Sequence, residues 1–133
     1  QLYSDSVVSE ISIGKKITEK LKKDMVDSLD AFSLNELKDR HPASLSGGEK
    51  QRVILAAAYC SDADVYILDE PSGMDGDGLH SIIKWVKLLS EKGKIVVIIT
   101  HDSLLAEATS DKFLYLEEGK QIKEGKKVLY EYN

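Results

Sequence analysis

The chain has 133 residues and a formal net charge of −5, with 42% hydrophobic and 31% charged residues. This balance excludes a disordered chain, and the acidic excess argues against a general nucleic-acid binder, whose footprint is a basic face. The longest apolar runs, such as "IVVII" at 95–99, are too short to span a bilayer. The single cysteine, Cys60, excludes an internal disulfide framework and suits a reducing compartment. Within "AAAYCS" it reads as a packing residue. The opening "QLYSDSVVSE" has neither the basic region nor the apolar block of a signal peptide. It also lacks an initial methionine, which points to a cropped chain.

In chain order, "SVVSEISIG" reads as a short helix stopped at Gly14. "KKITEKLKKDMVDSLDAF" spaces Ile17, Leu21, Met25 and Leu29 four apart among charges, the pattern of an amphipathic helix. The Lys15-Lys16 and Lys22-Lys23 pairs fall on its solvated side. "SLNELKDR" reads as a further helical turn, broken at His41-Pro42. A helix then starts at "SGGEKQR" and runs into "VILAAAYC", apolar nearly all round and so expected to be buried. "VYIL" at 65–68 and "KIVVIIT" at 94–100 read as buried strands. The turn-rich "PSGMDGDG" and a helix over 79–91, stopped by Gly93, lie between them. "DSLLAEAT" reads as a short helix and "KFLYLEEGKQIKEG" as a hairpin turning at Glu118-Gly119. Strand–helix–strand alternation implies parallel strands with crossover helices, so the chain is α/β.

Three motifs carry chemistry. The apolar run "YIL" ends abruptly in Asp69-Glu70, and "VVIIT" ends in His101. In open α/β sheets, ligands bind outside the carboxyl ends of the strands, so both motifs point to one edge. A carboxylate pair there suits one metal ligand and one base, and His101 suits a phosphate or a water. The third motif is "LSGGEKQR". Ser46 and Glu49 have the spacing of a capping box, which accounts for a stable helix start but not for Gly47 and Gly48. Each glycine costs roughly 1 kcal/mol against alanine in a helix. A helix N-terminus is also a natural anion site, and bare backbone lets a phosphate approach. By contrast, "DGDG" at 75–78 fails the EF-hand pattern at Leu79 and His80. His41 and His80 read as surface residues, and Trp85 as helix packing.

Taken together, "LSGGEKQR", "VYILDEPSGMD" and "IITHD" resemble the signature motif, the Walker B motif with D-loop, and the switch-histidine loop of the ATP-binding cassette (ABC) ATPases. The opening "QLYSDSVVSEI" is similar to the stretch after the glutamine loop in importers of the energy-coupling-factor type. The resemblance implies a partial P-loop NTPase (RecA-like) core. An α-helical signature subdomain over residues 1–62 would precede the C-terminal part of the α/β core at 63–133. Asp69 would help hold Mg²⁺, Glu70 would polarise the attacking water, and His101 would contact the γ-phosphate of ATP. Asp75 would sit in the D-loop at a dimer interface. Ser46, Gly47, Gly48 and Glu49 would meet ATP held by a partner subunit.

The sequence departs from that family pattern in one way. No Gly-Lys pair completes G-x-x-x-x-G-K-[ST], so the phosphate loop and its strand are missing here, and the chain alone is expected to be inactive. The edge of "KIVVIIT" that this strand would cover is expected to be apolar and prone to association. The implied whole is an ATPase subunit at the cytoplasmic face of a membrane, joined to a second cassette and an integral membrane component, without nucleic acid. A soluble cassette ATPase of translation or DNA repair and a non-enzymatic interaction module are the alternatives.

Overall fold

The computed structural model describes residues 4–71 and 76–126. The first three helices are α1 (Val7–Ser12), α2 (Glu19–Ala31) and α3 (Gly47–Tyr59), with 3₁₀ turns at Asn35–Leu37 and Pro42–Ser44 between the last two. Strand β1 (Val65–Asp69), helix α4 (Gly76–Glu91) and strand β2 (Ile95–Ile99) follow, then α5 (Ser103–Thr109) and strands β3 (Lys112–Glu117) and β4 (Lys120–Lys126).

Side-chain caps set the helix starts. Ser6, Thr18 and Asp102 accept backbone N–H groups at the heads of α1, α2 and α5. Thr18 also explains one departure from the sequence pattern. The cap places Ile17 outside α2, where it is 60% exposed, and the buried stripe runs instead through Leu21, Asp24, Ser28 and Leu29. Helix α3 is buried at Val53, Leu55, Ala56 and Tyr59 but leaves Ile54 in solvent, so it is covered on one side rather than all round. Helix α4 begins at Gly76, earlier than the turn-rich composition suggests, with Asp77 in the first turn where the helix dipole favours an acid.

The core joins the helices to one face of a two-stranded sheet. β1 and β2 are parallel, with Tyr66 opposite Val96 and Leu68 opposite Ile98, and α4 is their crossover. These four residues pack with fully buried Ile82 and Leu89 of α4 and Val53 of α3. The opposite face carries Val65, Ile67, Ile95, Val97 and Ile99, and Ile67 is 68% exposed. The reading of these strands as buried is therefore corrected for one face: nothing among the described residues covers it. β2 also pairs only with β1 there, leaving its other edge without a strand. The antiparallel β3–β4 hairpin turns at Glu118 and Gly119, both at positive φ (+48° and +75°), the conformation a tight two-residue hairpin turn demands.

Three bland readings hold. Cys60 is buried, and burial pushes its thiol up. Trp85 packs edge-on against Tyr66, with ring centroids 5.8 Å apart. His41 and His80 are exposed, and His41 accepts the Ala43 N–H at a 3₁₀ turn.

Candidate functional site

The parallel register brings the strand ends level, with Asp69 opposite Ile99. One further backbone bond, Glu70 N–H to the Ile99 carbonyl at 2.8 Å, continues the pairing past β1. Glu70 holds φ +42°, a left-handed conformation that a non-glycine residue adopts only when its surroundings enforce it. The chain thus leaves the extended conformation of β1 at Glu70, at the carboxyl edge.

His101 meets it from β2. Its Nε2 lies 3.2 Å from Glu70 Oε1, and the imidazole is otherwise 96% exposed. The segment around His101 is pinned on both sides. Thr100 Oγ1 accepts the Asp102 N–H at 2.9 Å, and Asp102 Oδ1 accepts the N–H groups of Leu104 and Leu105. Asp69 stands exposed beside this pair. Two strands therefore deliver a carboxylate and an imidazole into contact on one edge. Such an arrangement can accept a proton from water and contact an anion. Among the described residues no three acids, histidines or cysteines cluster as a metal cage. A lone exposed carboxylate such as Asp69 fits Mg²⁺, which takes one or two protein carboxylates and fills its shell with water and phosphate oxygens.

The Ser46–Glu49 stretch lies elsewhere. Ser46 Oγ accepts the Glu49 N–H at 3.2 Å, and Glu49 Oε1 accepts the Ser46 N–H at 2.8 Å, a complete capping box. The Ser46 backbone and hydroxyl hold the Glu49 carboxyl below its ordinary range. Gly47 and Gly48 are exposed, neither is at positive φ, and a Cβ on either would meet nothing within 4 Å. Neither backbone conformation nor internal packing calls for glycine here. Ser46, Gly48 and Glu49 share a groove with Asp77, His80 and Lys84 of α4, and Asp69, Glu70 and His101 do not line it. The structure thus separates two sites, the Glu70–His101 edge and the bare start of α3. Asp75 lies outside the described residues.

Sequence reasoning missed the polar ties around α2. Asp24 is buried between Lys20 and Lys92, and Arg52 of α3 reaches the Phe32 and Ser33 carbonyls just past α2. Asp24 and Ser28 within an otherwise apolar stripe were a readable signal for the first; nothing local marks the second.

A parallel strand pair with a helical crossover and its charged residues at the carboxyl edge is an open α/β arrangement, and the solved structures it matches make it part of a P-loop NTPase domain. A family model described as "ABC transporter" matches residues 2–73. A "Putative ABC transporter ATP-binding protein" of Archaeoglobus fulgidus is 36% identical over 135 residues, covering 98% of this chain and 46% of the relative. The solved structure of cbiO1 from Clostridium perfringens, described as part of the ABC transporter complex cbiONQ, has a TM-score of 0.80 at 32% identity. The match covers 95% of this chain and 53% of that one. The dimeric MJ0796 cassette, described as a bacterial ABC transporter cassette, has a TM-score of 0.73 at 27% identity, covering 94% and 58%. The chain belongs to the ABC transporter family, within its ATPase domain, and spans about half the length of these proteins.

Proposed function

We propose that the whole protein is the ATP-binding and ATP-hydrolysing subunit that powers movement of a solute across a membrane. The carrying observation is the Glu70–His101 contact at the sheet edge, together with a separate, unobstructed Ser46–Gly48 helix start. Phosphoryl transfer to water is mostly positioning and charge stabilisation, and these two features supply both. Glu70 takes the proton of the attacking water. His101 fixes that carboxylate and contacts the γ-phosphate. Asp69 would help hold Mg²⁺, which would supply charge neutralisation at the phosphate.

Ser46, Gly47 and Gly48 present N–H groups and the positive helix end to an ATP bound by a second cassette subunit, and Glu49 keeps their geometry fixed. Asp75 joins the interface between the two subunits. Residues 1–62 form the signature subdomain and 63–133 the C-terminal part of the core. The complex sits at the cytoplasmic face of a membrane, on an integral membrane component. Among the described residues no helix is long and apolar enough to cross a bilayer, which fits a peripheral subunit. The 133-residue chain alone turns over no ATP, because its sequence holds no phosphate loop.

Glu70→Gln in the whole protein tests the reading. General-base removal lowers turnover by roughly 10²–10⁴-fold, while ATP binding persists. Turnover at the wild-type rate would remove Glu70 from the base role.

A further inference from the structure

Helix α2 is tied midway along its length and just past its C-terminal end by charged side chains from other elements. At the middle of the helix, the Asp24 carboxylate is only 7% exposed and both oxygens are engaged. Oδ2 accepts Lys20 Nζ at 3.0 Å, and Oδ1 accepts Lys92 Nζ at 2.8 Å from just beyond the end of α4. Lys92 also lies 4.0 Å from the ring centroid of Tyr59, in the last turn of α3. Lys20 reaches further to Asp62, 2.9 Å away in the connection between α3 and β1. Burial pushes the Asp24 carboxyl up, but the Lys92 and Lys20 hydrogen bonds outweigh it and hold the group below its ordinary range. This cluster sits at the amino ends of β1 and β2, opposite the Glu70–His101 edge.

Just past the C-terminal end of α2, Arg52 Nη1 donates to the carbonyls of Phe32, the capping residue, and Ser33, at 2.9 and 3.1 Å. A guanidinium there meets the negative end of the helix dipole. Arg52 lies on α3, one turn beyond Glu49 of the capping box. Polar contacts therefore tie α2 to the end of α4 through Asp24 and to α3 through Arg52, one helical turn from the capping box.

We propose that α2 is a strut and that Asp24 and Arg52 are positioning residues, which set the angle at which Ser46–Gly48 is presented across the groove to α4. A buried ion pair is weak as a stabiliser compared with apolar packing, but it specifies one geometry because each charge needs its partner in place. Asp24 fixes the middle of α2 against the end of α4, and Arg52 fixes α3 against the turn that follows α2. The proposal rests on the reading of Ser46–Gly48 as a nucleotide contact only for its functional consequence.

The test uses the whole protein on an otherwise cysteine-free background, with spin labels at Lys50→Cys on α3 and Lys87→Cys on α4. Pulsed dipolar spectroscopy then reads the distance between the helices. Asp24→Asn and Arg52→Ala are each expected to broaden or shift the distance distribution in protein that circular dichroism shows to be folded. Arg52→Lys, which keeps a cation at the helix end, recovers part of the narrow distribution. Lys92→Gln releases the same clamp from its partner's side and serves if Asp24→Asn does not fold. A wild-type distribution in the folded Asp24 or Lys92 variant, or in Arg52→Ala, overturns the strut, because both ties are required. Broadening with unchanged ATP turnover would leave the strut standing and remove Ser46–Gly48 from the nucleotide site.

Discussion

Replacing Gly47 and Gly48 by alanine separates what the start of α3 needs for folding from what it needs for function. Both residues have ordinary backbone conformations, and an added Cβ would contact nothing within 4 Å. Under those conditions Gly→Ala stabilises by about 0.4–1 kcal/mol, chiefly by restricting the unfolded chain. The pair should therefore add about 1–2 kcal/mol. In a domain of 150–250 residues, 1 kcal/mol moves Tm by roughly 2–4 °C, so a rise of about 2–8 °C is expected. The Ser46–Glu49 capping box survives, since only Ser46 and Glu49 make its two hydrogen bonds. ATP turnover moves the other way, because two methyl groups now stand where a phosphate approaches the helix N-terminus. The assay is paired: denaturant unfolding and steady-state turnover on the same whole-protein preparation. Lower stability, or raised stability with unchanged turnover, would refute the reasoning.

Other expectations concern the core and the Asp24 clamp. Ile82→Ala empties a fully buried position between α4 and the sheet and should cost about 2–5 kcal/mol in denaturant unfolding. A loss below about 1 kcal/mol would mean the site collapses or was never packed. The Asp24 carboxyl, faced by Lys20 and Lys92, is held below its unfolded value, so its stabilisation is present above that value, about 3.9. It is lost as pH falls through the lower folded value. Melting curves between about pH 6 and pH 2 should therefore show a steeper acid loss in wild type than in Asp24→Asn. Parallel curves would contradict the clamp. Lys92→Gln, which takes one charged donor from the buried Asp24 carboxylate, should cost about 1–3 kcal/mol in denaturant unfolding near neutral pH.

Much of the site was legible because its signals are local. Capping residues, the Glu118-Gly119 turn and the acids and histidine at strand ends each leave a signature within a few residues. The parallel pairing followed from the alternation of elements, and pairing alone brings Glu70 to His101. The uncovered sheet face was not legible. "IVVII" is apolar at every position, so it carries no alternation, and only the structure shows Val96 and Ile98 inward with Ile95, Val97 and Ile99 outward. The spacing of Ile17 with Leu21, Met25 and Leu29 ran one turn too far because a cap at Thr18 overrides periodicity. Lys92 meets Asp24 across 68 positions, a separation at which sequence spacing is silent.

The central claim is that one chain contributes two halves of different sites, Glu70 with His101 to one and Ser46–Gly48 to another. Mixed dimers of the whole protein carrying Glu70→Gln and Gly48→Asp test it most directly. With the two substitutions on different protomers, one composite site keeps both its base and its helix start. With both on the same protomer, each site loses one half. The account predicts measurable ATP turnover in the first dimer and none in the second; turnover in the second and none in the first would contradict it.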